Sequence, residues 1–328
     1  MTINVDMRTA IRMAMNEEME HDENVLLMGE EVGGYNGAYK VSKGMLAQWG
    51  DKRVIDTPIC ESAFTGLAIG AAMAGLRPIV EFMSFNFSFL AIDQIFSNAA
   101  TMYYMSAGRF SVPIVFRGPN GAAAQVSCQH SHCVAALYAL YPGLIVIAPS
   151  NPYDARGLLK SAIRNNNPVL MLECELLYNL KQDIPEKPYL IELGEASIVR
   201  EGTHITIITF SKMVHVALEA SETLKKDGVD IEIIDLRTIK PLDIKTIKQS
   251  INKTNRCLCI EEGHVFGGVS AEIIAQINEH AFDSLDAPVE RLCQMDVPLP
   301  YSKALEEKTI PHADLVCERV RRMLQVTV

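Results

Sequence analysis

The chain has 328 residues, 48% of them hydrophobic and 21% charged, and a formal net charge of −10. That length exceeds one ordinary core and favours two domains of roughly 150 residues each, while the charge excludes nucleic acid as a ligand, since neutralising phosphates needs a clustered basic face. There is no run of about 18 apolar residues to span a bilayer, and the acidic stretch 1–23 lacks the basic segment and apolar run of a targeting sequence.

Asp6 caps a first helix with Met7, Ala10, Ile11, Ala14 and Met15 at helical spacing. The apolar run from Val25 to Met28 reads as a strand ending at Gly29, Glu30 and Glu31, where paired carboxylates are ordinarily solvated. The glycine-rich stretch 33–44 is a loop without Walker spacing. In DTPICESAFTGLAIGAAMAGLRP (56–78), Pro58 disfavours helix at Thr57, so a helix begins at Glu61 or within a turn of it. Gly66, Gly70 and Gly75 each cost that helix about 1 kcal/mol relative to alanine. Close packing is the natural compensation, because Gly66 and Gly70 with Ala63 and Ala74 leave one face open to another backbone. By residue type alone, Glu61 in the first turn simply favours the positive end of the helix dipole.

Ile79 to Phe87 reads as a strand, with Phe85 and Phe87 on one face and Phe82 on the other. Ile92, Ile95, Phe96, Ala99, Met102 and Tyr103 mark a buried helical stripe. A strand from Pro113 to Arg117 and a turn at 118–121 lead to SCQHSHC (127–133). Cys128, His130, His132 and Cys133 are zinc-ligand types, but four ligands within six residues leave little chain to wrap a tetrahedron, and metal is the minor reading. A helix from His132 to Tyr141, a strand from Leu144 to Ala148 and a helix begun by Asn151, Pro152 and Asp154 follow; Pro168 opens the strand VLMLE. Alternating strands and helices mean a parallel α/β sheet.

From Tyr178 to Leu190 the pattern breaks, with Pro185 and Pro188 among mixed charges. The expected division is a first domain at 1–180, a linker at 181–193 and a second domain at 194–328. The second domain alternates again: strand His204 to Phe210, helix Val214 to Lys225, strand Asp230 to Ile234, helix Ile244 to Ile251, strand Arg256 to Glu261. In EEGHVFGGVSAEI (261–273), Gly263, Gly267 and Gly268 lie between strand and helix but lack the dinucleotide order, and a tight turn is the better reading. Eight cysteines are scattered without the density of a disulfide scaffold, which fits a reducing cytoplasm.

Several phrases in one order carry a specific resemblance over nearly the whole chain: LLMGEEVGGYNGAYKVSKGM (26–45), DTPICESAFTG (56–66), GLRPIVEFMSFNF (75–87), AIDQIFSNAA (91–100), VPIVFRGPNGA (112–122), QHSHC (129–133), GLLKSAIRNNNPV (157–169), DLRTIKPLD (235–243) and DVPLPY (296–301). The chain resembles the transketolase-like thiamine diphosphate enzymes, and among them the β chain of the decarboxylating first component of the pyruvate dehydrogenase complex. The resemblance implies two α/β domains, a pyrimidine-binding domain and a transketolase C-terminal-like domain. It also implies pyruvate decarboxylation with reductive acetylation of lipoyl-lysine. It gives Glu61 a hydrogen bond to N1′ of the cofactor's aminopyrimidine, Phe87 a packing role against that ring, and His130 proton exchange during acetyl transfer. Glu30 becomes a cofactor-side residue suited to proton relay. The resemblance further implies potassium held mainly by backbone carbonyls matching Ile114, Ala162, Ile163, Asn165 and Asn167. The family's usual aspartate is asparagine at 165, a change that a carbonyl ligand survives.

The family's GDG motif for magnesium and diphosphate does not occur in this sequence. The implied partner is therefore an α subunit that holds magnesium, in an α2β2 heterotetramer docked on a dihydrolipoyl acetyltransferase core, with no nucleic acid and no membrane. Neighbouring expectations are a branched-chain 2-oxo acid or acetoin dehydrogenase β chain, a non-catalytic assembly subunit, and, last, a nicotinamide-dependent oxidoreductase built on Gly263 to Gly268.

Overall fold

The computed structural model describes residues 1–326, which divide into two compact units. The first comprises residues 1–120 and 137–193, and the second residues 121–136 and the described residues from 194 on, so that 121–136 pack with a unit to which sequence order alone does not assign them.

The first unit begins with β1 (Thr2–Asp6) and α1 (Met7–His21), whose Asp6 side chain accepts the Thr9 N–H at 2.8 Å. It continues through β2 (Val25–Gly29), α2 (Met45–Trp49), β3 (Val54–Asp56), α3 (Glu61–Met73) and β4 (Arg77–Glu81). After α4 (Met102–Met105) and β5 (Val115–Pro119), α5 (Ala135–Leu140) begins in the second unit. β6 (Ile145–Ile147), α6 (Pro152–Arg164), β7 (Val169–Glu173) and β8 (Lys181–Pro185) complete the first unit. Its central strands run parallel in the order β6-β7-β5-β4-β2-β3. Met7, Ile11, Met15, Leu27, Ile79 and Leu158 are fully buried in its core. Burying each such side chain stabilises the fold by about 1.5–3 kcal/mol. Part of the expected linker is structured: β8 pairs antiparallel with β1, Thr2 opposite Pro185.

The second unit holds β9 (Ser197–Arg200), β10 (Ile205–Thr209), α7 (Met213–Leu224), β11 (Ile231–Asp235), β12 (Thr238–Lys240) and α8 (Ile244–Thr254). β13 (Cys257–His264), α9 (Val269–Ala281), β14 (Glu290–Gln294), α10 (Lys303–Thr309) and α11 (Ala313–Leu324) follow. Its five-stranded sheet has the order β14-β13-β10-β11-β9 and is parallel except for β9 at the edge. The expected α/β class with mainly parallel sheets is therefore present in both units. Among the described residues no helix is long and apolar enough to cross a membrane.

Two local expectations differ from the structure. β4 stops at Glu81, and after a turn the chain enters a 3₁₀ segment at Phe87–Ala91, so Phe85 and Phe87 do not share a strand face. The stripe expected on one α-helix is split between a π-helical turn at Gln94–Ala99 and the short α4, leaving Tyr103 exposed.

Candidate active site

Parallel pairing brings the C-terminal ends of three strands level: Gly29 of β2 stands opposite Asp56 of β3 and Glu81 of β4. The loop after β2 is anchored by Asp56, whose carboxylate accepts the N–H groups of Gly33 at 2.5 Å and Gly34 at 2.8 Å. The turn after β3 is tied back by Thr57 N–H to the Gly29 carbonyl at 3.0 Å. These two turns place Glu30 and Glu61, the first residue of α3, beside one another, and both are buried.

Among the described residues, Glu30 Oε1 is buried without a hydrogen-bond partner. Burial, and secondarily the Glu61 charge, push the Glu30 carboxyl above the ordinary carboxylate range. Two buried carboxyls with no cation between them are costly for a fold and suited to handling a proton. A protonatable heterocyclic nitrogen, such as that of an aminopyrimidine, fits an orphaned buried oxygen of this kind.

Phe87 is half-buried where the 3₁₀ segment opens, and that segment packs on α3. The other two phenylalanines form core: Phe82 and Phe85 are buried with ring centroids 5.6 Å apart, and Phe85 lies 5.9 Å from Tyr138. Each therefore has a packing explanation.

His130 belongs to the second unit, exposed at the end of a 3₁₀ turn, Cys128–His130. His132 lines a cavity of about 270 Å³ with Cys128, Ser131, His264 and Gln294. Burial, and then His264, hold its imidazole below the usual range. Among the described residues no group of three or more His, Cys, Asp or Glu side chains converges on a metal position.

The turn considered for potassium already faces a cation. Arg77 donates from Nη1 to the carbonyls of Ile163 at 2.9 Å and Asn165 at 3.1 Å, and from Nη2 to the Asn166 side chain at 2.7 Å. The Ala162 and Ile114 carbonyls accept from Asn165 and Val169 N–H, and the Asn165 side chain accepts the Asn167 N–H. A potassium ion would have to share these oxygens with a guanidinium, so the donor set does not fit it well.

Sequence reasoning missed a buried ionic cluster at the same sheet edge. Arg117 ends the apolar part of β5 and binds Glu173 of β7 through two bonds, at 2.5 and 2.6 Å, and also Glu81 of β4. Tyr178 donates its hydroxyl to Glu173 at 2.7 Å. The signal available in sequence was three apolar runs, PIVE, IVFR and LMLE, each ending in a charge.

The glycine turn at 263–268 is filled by protein. Glu261 accepts the N–H groups of Val269 at 3.1 Å and Ser270 at 2.8 Å, so the α9 N-terminus already has its anion. A Cβ at Gly263 or Gly268 would lie 2.7 or 2.4 Å from a Glu261 oxygen. These glycines make room for a carboxylate, which removes the basis for reading the turn as a nucleotide site.

The family models fit this architecture. Residues 4–181 match the transketolase pyrimidine binding domain, and residues 194–316 match the transketolase C-terminal domain. The chain belongs to the transketolase-like thiamine diphosphate enzymes. It is 53% identical over 329 residues to the mouse mitochondrial pyruvate dehydrogenase E1 component subunit beta, covering 99% of this chain and 92% of the relative. It is 52% identical to the pyruvate dehydrogenase E1 component subunit beta of Rickettsia felis, covering 99% of each. A solved structure described as a split gene transketolase, inactive beta4 tetramer, covers 99% of each chain with a TM-score of 0.79 at 20% identity, a likeness of fold.

The cytoplasmic expectation is corrected by these relatives. The mouse, bovine and human proteins are mitochondrial by name. Scattered cysteines do not by themselves identify a compartment.

Proposed function

We propose that this chain is the β subunit of an acetyl-transferring pyruvate dehydrogenase, which works with an α subunit to decarboxylate pyruvate and acetylate lipoyl-lysine reductively. Near full-length identity of 52–53% to proteins of that name supports the reading. The observation that carries its chemistry is the buried, unneutralised Glu61 beside Glu30 at the start of α3.

When bound, thiamine diphosphate supplies the electron sink through which a 2-oxo acid loses carbon dioxide. Glu61 would hold N1′ of the aminopyrimidine through a hydrogen bond, which its burial would strengthen. Glu30, biased toward its protonated form, is placed to pass a proton to and from this pair. Phe87 would pack against the pyrimidine, and His130 would exchange protons during acetyl transfer to the lipoyl group. No step here runs through potassium.

We assign the pyrimidine-binding domain to 1–180 and the transketolase C-terminal-like domain to 194–328. An α subunit supplies magnesium and the diphosphate site, consistent with the missing GDG motif. The α3 face with exposed Ala63, Leu67 and Gly70, together with Ile59 just before the helix, is the proposed β–β contact in an α2β2 assembly, and the second domain faces the acetyltransferase core. The test is reconstitution: the isolated chain should be inactive, and the αβ pair active only with thiamine diphosphate and magnesium. Full activity from the isolated chain would refute the proposal.

A further inference from the structure

Strand faces alternate, so the consecutive glutamates Glu261 and Glu262 near the end of β13 serve different neighbours. Glu261 caps α9, whereas Glu262 accepts the Ala122 N–H and lies 3.1 Å from Lys212 Nζ. A third carboxyl, Glu306, accepts the Gln125 N–H and feels both Lys212 and Glu262. The loop they hold is closed by Gly121 N–H to the His132 carbonyl at 2.9 Å, and His130 lies within it. Its backbone resists this shape: Gln125 has φ 56° and Ser127 φ 66°, a region that side chains disfavour. Gly121 has φ +82°, and a Cβ there would sit 3.0 Å from the Glu262 carboxyl. A strained loop on two buried carboxyls and one lysine keeps its form only while those anchors keep theirs.

We infer that Glu262, braced by Lys212, is a positioning residue that clamps the 121–132 loop and thereby places His130. The inference rests on the role proposed above for His130 in acetyl transfer, and it extends that role into the C-terminal domain's sheet. Glu262→Gln keeps the shape and removes the charge; Lys212→Met removes the brace; Lys212→Arg keeps it.

In the assembled αβ component, amide hydrogen exchange of peptides spanning 121–132 should quicken about tenfold or more in E262Q and K212M and stay near wild type in K212R. Acetyl transfer to a lipoyl substrate should fall at least about fivefold more steeply than pyruvate decarboxylation measured with an artificial electron acceptor. Adding E262Q to H130A should cost no further acetyl transfer, since the loop then has nothing to place. Unchanged loop exchange in E262Q, or losses that multiply in the double variant, would overturn the inference. If H130A alone transferred acetyl normally, the reading of His130 would fall, while quickened exchange in E262Q would still uphold the clamp.

Discussion

Two groups of buried carboxyls lie along one edge of the same sheet, and they are treated oppositely. Glu81 and Glu173, at the ends of β4 and β7, share Arg117, and Glu173 also accepts the Tyr178 hydroxyl. Glu30 and Glu61, one residue beyond β2 and at the start of α3, have no cation among the described residues, and Glu30 keeps an orphaned oxygen. Burial raises the pKa of both Glu81 and Glu30, but Arg117 opposes the rise at Glu81 whereas the Glu61 charge adds to it at Glu30. A fold has every reason to pair a buried acid, so the unneutralised pair beside a neutralised one is the feature on which the proposed site rests.

That contrast can be broken at either side. The largest expected effect is Glu61→Ala in the reconstituted αβ enzyme: turnover should drop by about 10³-fold or more, with the fold intact by circular dichroism. Near-normal turnover would defeat the assignment. Next comes Arg117→Met, which strands two buried carboxyls and should cost about 3–5 kcal/mol in denaturant unfolding. An intermediate case is Glu261→Ala, which strips the α9 N-terminus of its anion and should cost about 1–2 kcal/mol.

Glu30→Gln should have the smallest effect and the opposite sign. A carboxyl whose folded pKa is raised binds its proton more readily in the native state, so it lowers stability once pH climbs above the ordinary carboxylate range and stops doing so below it. The variant should therefore be more stable than wild type at neutral pH, by on the order of 1 kcal/mol or less. The gain should vanish in acid, and urea titrations at several pH values would show whether it does.

Much of this was legible in the sequence because it depends on local chemistry. Asp6 and Asn151 cap helices as short polar side chains do, accepting backbone N–H groups at 2.8 and 2.9 Å. Apolar runs such as LLMG, PIVE and VLMLE had to be buried parallel strands, and Pro58 fixed the start of α3 to within a turn of Glu61. Residue order likewise gave the family, since its phrases survive as phrases. Tertiary structure decided what depends on distant partners. It brought Glu30 against Glu61 and set Arg117 between acids 36 and 56 residues away. It gave residues 121–136 to the second unit and filled a nucleotide-like glycine turn with Glu261. The physical reason is that capping and periodicity act over a few residues, whereas the charge state and position of a buried acid are fixed by whichever groups the folded chain sets against it.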